Sequence, residues 1–197
     1  MKKDVGTPLL ITYQPEVLMQ AILEQTFPGF KWAENDEGKR TAERFVKYLK
    51  EYSPIYAHTL PFNMTVFPAN VNQLIMSGPI NFSSICAHHL LPYMGVAWVG
   101  YIPNKLMIGA SKMPRLVKAL ANKPTTQEEV CAEVASCLKH TLEAMGVAVT
   151  MRATHTCMSC RGVREEDAQL ITSEMRGVFL TAGEARSEFL SFVNGGK

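Results

Sequence analysis

The stretch Cys86-Ala87-His88-His89 combines a thiol with two imidazoles, and His155-Thr156-Cys157 repeats that combination far along the chain. If the fold brings the two stretches together, Cys86, His89 and Cys157 can hold one zinc ion. Zinc binds thiolate and imidazole readily, and a catalytic site keeps three protein ligands and one open position for water. The two stretches therefore predict a catalytic zinc site.

Two further imidazoles are left without a ligand role in this interpretation. His88 and His155 would lie beside the metal, where they could move protons near neutral pH. In the opposing interpretation the cysteines are ordinary apolar residues of the core. Adjacent histidines such as His88 and His89 are uncommon in a core, which favours the metal site.

Two other kinds of zinc site have related patterns. Cys86-x-x-His89 with Cys157-x-x-Cys160 has the spacing of a closed, four-ligand structural site, which would make the chain a zinc-stabilised binding module. A deaminase-type site requires His-x-Glu and a later Pro-Cys-x-x-Cys. Ala87 and Thr156 do not fit that pattern. The deaminase site is disfavoured, and the structural site stays an alternative.

The composition limits the class of protein. A chain of 197 residues with 47% hydrophobic residues suits one domain with a helical extension and a packed core. The net charge of +2 provides no broad basic field for nucleic acid. Because the first apolar run is short, we expect no secretory leader. We also expect no membrane span, since no apolar run approaches about 20 residues. With five cysteines, an odd number, we expect a cytoplasmic protein without nucleic-acid or membrane partners.

Periodicity predicts two helices, two strands, two helices, two strands and a closing helix. Such an order is typical of an α+β fold with an antiparallel sheet covered on one face. The capping-box spacing from Thr126 to Glu129 should open the longest helix, and Gly146 should end it. The predicted elements are helices at 17–27, 41–52, 111–123, 126–146 and 184–193, and extended segments at 65–82, 95–102, 147–156 and 171–179. The first extended segment should break at Gly78-Pro79, and Cys157 should lie at the end of the third. Ser111 should cap the third helix, and Met145 should lie on the buried stripe of the fourth.

Several polar or cationic side chains could bind a polyphosphate. The start of the predicted helix at 111 offers backbone amides and a dipole that favour anions, and arginine can bind phosphate with two hydrogen bonds. For any single lysine, a solvated surface position is the ordinary alternative. No Gly-x-x-x-x-Gly-Lys-Ser/Thr loop is present, which disfavours a P-loop fold. The candidates are Ser111, Lys112, Arg115, Arg161, Arg44 and Lys47.

Glu128 has two interpretations. Its carboxylate can complement the dipole of its own helix. It can also accept two N–H groups from the edge of a guanine base. The sequence leaves both open.

Seven motifs follow one another along the chain: SICAHHLLP (84–92), GYIP (100–103), IGASK (108–112) with Arg115, Gln127-Glu128, HTCMSCRG (155–162), TSEMRGVF (172–179) and EFL (188–190). Taken together and in this order, they resemble the GTP cyclohydrolase I family over about residues 38–192. The resemblance implies the tunnelling fold, in which a helix pair is inserted between the second and third strands of an antiparallel four-stranded sheet. It divides the chain into an N-terminal helical extension, 1–60, and a catalytic domain, 61–197.

The resemblance also implies a reaction, a cofactor and partners. GTP and water would give 7,8-dihydroneopterin triphosphate and formate, a step of pterin and tetrahydrofolate biosynthesis in one-carbon metabolism. Water activated by Zn²⁺ would attack C8 of guanine, after which the ring opens and a new ring closes. The protein would be a homodecamer of two pentameric rings with active sites at subunit interfaces. The alternative is a catalytically silent, zinc-stabilised oligomeric nucleotide-binding protein.

Site roles follow from the resemblance position by position. A departure from the family is Ala87, where many relatives have a glutamate that would orient the zinc ligands. The resemblance implies that the zinc ligands are Cys86, His89 and Cys157. It implies three catalytic residues: His88, which protonates the imidazole ring of guanine, His155, which lies near the ribose, and Ser111. Guanine would be recognised by Gln127 and Glu128, and the triphosphate would be contacted by Ser111, Lys112, Arg115 and Arg161, with Arg44 and Lys47 approaching from the N-terminal helix.

Overall fold

A computed structural model describes residues 14–32, 34–52 and 60–195, and it shows a mixed α+β protein. The chain divides into two units, Met1–Glu51 and Tyr52–Lys197. The predicted division after residue 60 stays a prediction, because residues 53–59 lie outside the described part of the chain. Among the described residues, no helix has the length and apolar character that crossing a bilayer requires.

The first unit contains two helices, both predicted from the sequence. Helix α1 spans Pro15–Thr26 and begins with a proline, which suits the first position of a helix because that position needs no N–H donor. Helix α2 spans Thr41–Glu51 and buries Ala42 and Val46 on one stripe. The predicted first and second helices are therefore confirmed.

The second unit combines a large sheet with flanking helices. The order of its elements confirms the predicted strands at 95–102, 147–156 and 171–179. The first of them begins three residues earlier than predicted, and both ends of the other two are shifted by one or two residues. In chain order the unit contains β1 (Val66–Pro68), β2 (Ile75–Cys86), β3 (Pro92–Ile102), β4 (Leu106–Ile108), α3 (Lys112–Ala121), β5 (Pro124–Thr125), α4 (Gln127–Leu142), β6 (Gly146–His155), α5 (Thr156–Ser159), β7 (Gln169–Gly177), α6 (Val178–Thr181) and α7 (Gly183–Gly195).

Five strands form the main sheet in the order β5-β2-β3-β6-β7. The four long strands are antiparallel to one another, and β5 pairs in parallel with the end of β2. Strand β2 continues through the predicted break at Gly78-Pro79, with a register shift between Ser77 and Ile80. Strands β1 and β4 form a separate antiparallel pair.

Helices cover both faces of the sheet, so the expectation of one covered face is wrong. Val147, Val149 and Met151 of β6 belong to the core that includes residues of α3 and α4. Ala148 belongs to a second cluster with Phe179 and Phe189. Since successive residues of a strand point to opposite faces, α6 and α7 pack on the opposite side of β6. Burial on both faces explains why the first six residues of β6 are all buried.

The end of α4 also differs from the prediction. The helix stops at Leu142, and Glu143 follows in the left-handed conformation with a φ of 46°. Gly146 therefore begins β6 and does not end the helix. Met145, predicted on the buried stripe, lies outside the helix and is 46% exposed.

The register of the sheet sets the position of the candidate residues. Tyr93, near the start of β3, pairs with His155 at the end of β6. Cys86, at the end of β2, pairs with Thr125, which lies just before α4. The two predicted metal stretches and the start of α4 are consequently gathered at one end of the sheet.

The predicted capping box at the start of α4 is confirmed. The Thr126 hydroxyl accepts from the Glu129 backbone N–H at 3.3 Å, and the Glu129 carboxylate accepts from the Thr126 backbone N–H at 3.2 Å. The hydrogen bonds to the Thr126 backbone and the Thr125 hydroxyl hold the pKa of Glu129 below its usual range. This cap fixes the first turn of α4, where Gln127 and Glu128 lie.

Replacing the capping hydroxyl should destabilise the protein. We expect Thr126→Ala to lower the free energy of unfolding by about 1 kcal/mol, because one amide of the first turn loses its acceptor. The measurement is the thermal unfolding midpoint at fixed protein concentration. Thr126→Ser, which keeps the hydroxyl, is the control, and equal midpoints for the two variants would contradict the prediction.

Candidate metal and substrate site

A tight turn between β2 and β3 carries the first metal stretch. The Cys86 N–H donates to the Leu91 carbonyl and the Leu90 N–H donates to the Cys86 carbonyl, both at 2.8 Å. Leu90 has a φ of 54°, which a branched side chain rarely adopts, so these bonds hold the turn in shape. The turn places Nδ1 of His89 at 3.6 Å from Cys86 Sγ.

The second stretch is anchored against the same turn. Helix α5 begins immediately after His155, so Cys157 lies in one helical turn and not at the end of a strand as predicted. The Thr156 hydroxyl donates to the Pro92 carbonyl at 2.6 Å, which ties the start of α5 to the start of β3. Cys157 is thereby held beside Cys86.

The structure brings Cys86, His89 and Cys157 together. One ligand atom from each lies within 4.8 Å of the other two. Around a tetrahedral zinc ion a sulfur and a nitrogen ligand are separated by about 3.6 Å. The separation between Cys86 Sγ and His89 Nδ1 agrees with this value. The donor set and its spacing therefore fit a metal ion such as zinc.

The charges of the two thiols also fit a cation. Burial, followed by the neighbouring Cys86, raises the pKa of Cys157, while Arg161 acts in the opposite direction. Two adjacent thiolates repel each other, and a divalent cation between them removes that repulsion. Metal binding would thus favour the ionised form of both side chains.

The alternative four-ligand structural site receives no support from the cluster. Among the described residues the group that could hold a metal has three members, and Cys160 is not one of them. The Cys160 side chain is exposed at the end of α5. His88 is near the cluster, with Nδ1 at 3.7 Å from Cys86 Sγ, but it is not a member either.

His155 lies in a buried polar environment close to the metal stretch. Its Nε2 is 3.0 Å from Oε1 of Gln127. The ring of Tyr93 stacks on it, with centroids 4.4 Å apart and an interplanar angle of 4°. Burial lowers the pKa of His155, and the negative charge of Glu128 partly opposes that shift. The structure therefore groups His155 with both members of the predicted guanine pair.

The two members of that pair have different surroundings. Glu128 is exposed in the first turn of α4. Gln127 is fully buried, and its side-chain amide is hydrogen-bonded within the chain at both ends. The resemblance implied guanine recognition by both residues, and this call stays a prediction for each of them.

Three predicted triphosphate contacts lie around the start of α3. Ser111 precedes the helix, but its side chain makes no capping hydrogen bond, so the predicted cap is wrong. Nζ of Lys112, the first residue of α3, lies 5.5 Å from the centroid of the Phe62 ring. Arg115 lines a cavity of about 990 Å³ that extends between α3, β2 and β3. The metal cluster does not line this cavity.

The remaining cationic candidates lie elsewhere. Arg161 is exposed just after α5, close enough for its charge to act on Cys157. Arg44 and Lys47 are exposed on α2 in the first unit. The contact of these two residues with a triphosphate stays a prediction.

Sequence reasoning missed two residues that the site uses. Tyr93 stacks on His155, and the Thr172 hydroxyl contacts the Gln127 amide at 3.0 Å. Both contacts depend on strand register, which no local pattern in the sequence reveals. The available signals were that Thr172 begins the motif TSEMRGVF and that Tyr93 directly follows the motif SICAHHLLP.

Comparisons with known proteins agree with the motifs. A family model described as GTP cyclohydrolase I matches residues 21–194. The GTP cyclohydrolase 1 of Sulfurihydrogenibium sp. (strain YO3AOP1) is 39% identical over 166 residues, which cover 83% of this chain and 87% of that protein. The GTP cyclohydrolase 1 of Aquifex aeolicus (strain VF5) is 39% identical over 159 residues, or 80% and 84% of the two chains.

Solved structures add a weak likeness. The crystal structure of the archaeosine synthase QueF-Like in the apo form matches with a TM-score of 0.42 and 13% sequence identity, covering 53% of this chain and 91% of that chain. A likeness at this level supports no conclusion about function.

The three-ligand arrangement predicts how cysteine variants behave. Cys157→Ser should abolish stoichiometric zinc binding, because one of the three ligands is lost. Cys160→Ser is the matched control and should keep one zinc per chain. The measurement is the zinc content of purified, dialysed protein by mass spectrometry. Loss of zinc from the Cys160 variant would instead support the four-ligand structural site.

Proposed function

This chain belongs to the GTP cyclohydrolase I family, and we propose that the cluster of Cys86, His89 and Cys157 is its active centre. The chain is an enzyme, a hydrolase that converts GTP to 7,8-dihydroneopterin triphosphate. The observation that supports this centre is the convergence of three metal-binding atoms within 4.8 Å, with His88 immediately beside them.

The residues that would hold the proposed zinc lie on two separately anchored segments of the chain. The turn after β2 presents Cys86 and His89, and the bond from Thr156 to the Pro92 carbonyl secures the helix that carries Cys157. When bound there, zinc supplies a Lewis acid that makes water nucleophilic near neutral pH. The reaction also releases formate.

His88 is the proposed proton donor to the imidazole ring of guanine. Its side chain is exposed, so it can recover a proton from solvent after each transfer. Attack at C8 builds negative charge on the ring, and a proton delivered to N7 relieves that charge. The location of His88 beside Cys86, yet outside the three-ligand group, suits this role.

Recognition of the base and the sugar is proposed for the start of α4 and the end of β6. The exposed carboxylate of Glu128 can accept two N–H groups from the guanine edge. His155, whose pKa responds to the charge of Glu128, acts on protons near the ribose. Both groups lie at the end of the sheet that carries the metal ligands.

The triphosphate is proposed to bind basic side chains. Lys112 and Arg115 lie in the first turn of α3, where the helix dipole favours anions, and Arg161 follows α5. Ser111 adds a hydroxyl at the same helix end and is a proposed catalytic residue. Arg44 and Lys47 are proposed to approach from the N-terminal extension, residues 1–60.

We also propose the tunnelling fold and a homodecamer for this chain. Helices α3 and α4 both lie between β3 and β6, the second and third long strands. Among the described residues, β7 pairs only with β6, and β5 covers only two residues of β2. Unpaired strand edges favour pairing with another copy of the chain. Stacking of two pentameric rings would complete each site at a subunit interface.

A cytoplasmic location is part of the proposal. All five cysteines are described, and none forms a disulfide. Unpaired thiols are usual in a reducing compartment.

Activity tests the proposed function directly. His88→Ala should lower kcat for formation of dihydroneopterin triphosphate from GTP by roughly 10²- to 10⁴-fold, the usual contribution of a general acid. His140→Ala is the matched control and should leave kcat unchanged, because His140 is exposed on α4 and its Nδ1 lies 3.2 Å from the Ser136 carbonyl of the same helix. Pterin fluorescence and formate release are measured together.

Metal dependence is checked in the same assay. Chelation should remove activity, and added zinc should restore it. Full turnover by the metal-free protein, or by the His88 variant, would contradict the proposal. GTP binding without pterin formation would favour the silent nucleotide-binding protein.

The oligomer has its own test. Light scattering coupled to size-exclusion chromatography should give the mass of ten chains at micromolar concentration, because the open edges of the sheet pair between copies. A monomeric mass for the active protein would disprove both the ring assembly and the interfacial sites.

A further inference from the structure

The Gln127 side chain occupies an unusual position for the first residue of a helix. It has 0% of its surface exposed, whereas neighbouring Glu128 and Glu129 are exposed. Its Nε2 lies 3.2 Å from the Met151 carbonyl, 3.1 Å from the Leu170 carbonyl and 3.0 Å from the Thr172 hydroxyl. A buried amide with this many partners is held in one orientation.

The hydrogen-bond partners of the Gln127 amide establish where its oxygen and its NH₂ group lie. Backbone carbonyls only accept hydrogen bonds, so the NH₂ group must face Met151 and Leu170. If the amide were flipped, its oxygen would face two carbonyl oxygens with no hydrogen between them. Oε1 therefore faces His155, where it lies 3.0 Å from Nε2.

This orientation fixes the hydrogen on the histidine. Because Oε1 of Gln127 only accepts, Nε2 of His155 must donate and carries a hydrogen. In the neutral ring the lone pair is then on Nδ1. The stacked Tyr93 ring lies parallel to the imidazole and hinders rotation about the side-chain bonds.

We infer that Gln127 is a positioning residue that holds the His155 ring in one orientation, with a hydrogen on Nε2 and the lone pair on Nδ1. The inference rests on the proposed function of His155 as an acid–base group. The part of Gln127 in guanine recognition, which the resemblance implied, stays a separate prediction.

The tautomer is measured without any enzymatic activity. The full chain is labelled with ¹⁵N-histidine, and long-range ¹⁵N–¹H spectra are recorded for the zinc-loaded protein. The His155 signals are assigned by their absence from His155→Asn. A protonated-type shift at Nε2 with an unprotonated-type shift at Nδ1 is expected. The opposite pattern would overturn the inference, even if the protein proves inactive on GTP.

Kinetics separate positioning from substrate binding. Gln127→Met keeps the length of the side chain but removes the acceptor for His155. We expect kcat to fall roughly 10- to 100-fold, as for other residues that orient an active-site histidine, with KM for GTP unchanged. A raised KM at unchanged kcat would mean that the amide contacts the base, and it would refute positioning.

A less disruptive variant tests the same inference if Gln127→Met does not fold. Thr172→Val removes one of the three oxygen partners of Nε2 and should lower kcat by roughly 2- to 10-fold, the effect of one hydrogen bond. Thr150→Val is the matched control, because Thr150 is also a buried threonine of this sheet, with 5% of its surface exposed. Its neighbour Met151 packs with residues of α4. Since successive strand residues point to opposite faces, the Thr150 side chain lies on the face away from α4. The control should keep kcat, and a wild-type kcat in Thr172→Val would count against the inference.

Discussion

The pairing of β3 with β6 is the constraint on which the site depends. Ten consecutive residue pairs, from Tyr93 with His155 to Ile102 with Gly146, fix the end of β6 beside the turn that follows β2. A slip of one residue would move every side chain of β6 to the other face. His155 would then leave Gln127, and Cys157 would be displaced from Cys86. The register of β3 with β6 therefore determines where His155 lies relative to Gln127 and where Cys157 lies relative to Cys86.

Burial and charge act together at that end of the sheet. Cys86 is buried, and burial raises the pKa of the adjacent Cys157, so the cluster resists holding two negative charges by itself. A divalent cation reverses this balance, since it is attracted to both sulfurs. The burial that disfavours free thiolates is therefore compatible with a bound divalent cation. The same burial favours the neutral form of His155 by lowering its pKa.

The three residues that could hold a metal ion could be predicted from the sequence because their chemistry is local. Cysteine and histidine in short segments predict a site for a metal such as zinc, and the capping box at Thr126 predicts the start of α4. The partners of Gln127 could not be predicted, since they are backbone carbonyls of β6 and β7 that only the register brings within reach. For the same reason the second covered face was missed: α7 buries Phe189 against Ala148, and periodicity alone does not say which face a helix will cover.

The two unligated histidines illustrate why one site contains imidazoles in such different settings. His88 is exposed on a turn. Among the described residues, the hydrogen-bond partner of its ring is the Cys86 thiol, 3.7 Å from Nδ1. His155 is enclosed by Tyr93 and Gln127, and its Nε2 faces the oxygen of the Gln127 amide. A proton donor that must be recharged each cycle benefits from solvent contact, whereas a group that removes and returns a proton at one atom benefits from a fixed ring. The difference in burial between the two side chains therefore provides a physical basis for the different roles proposed for them.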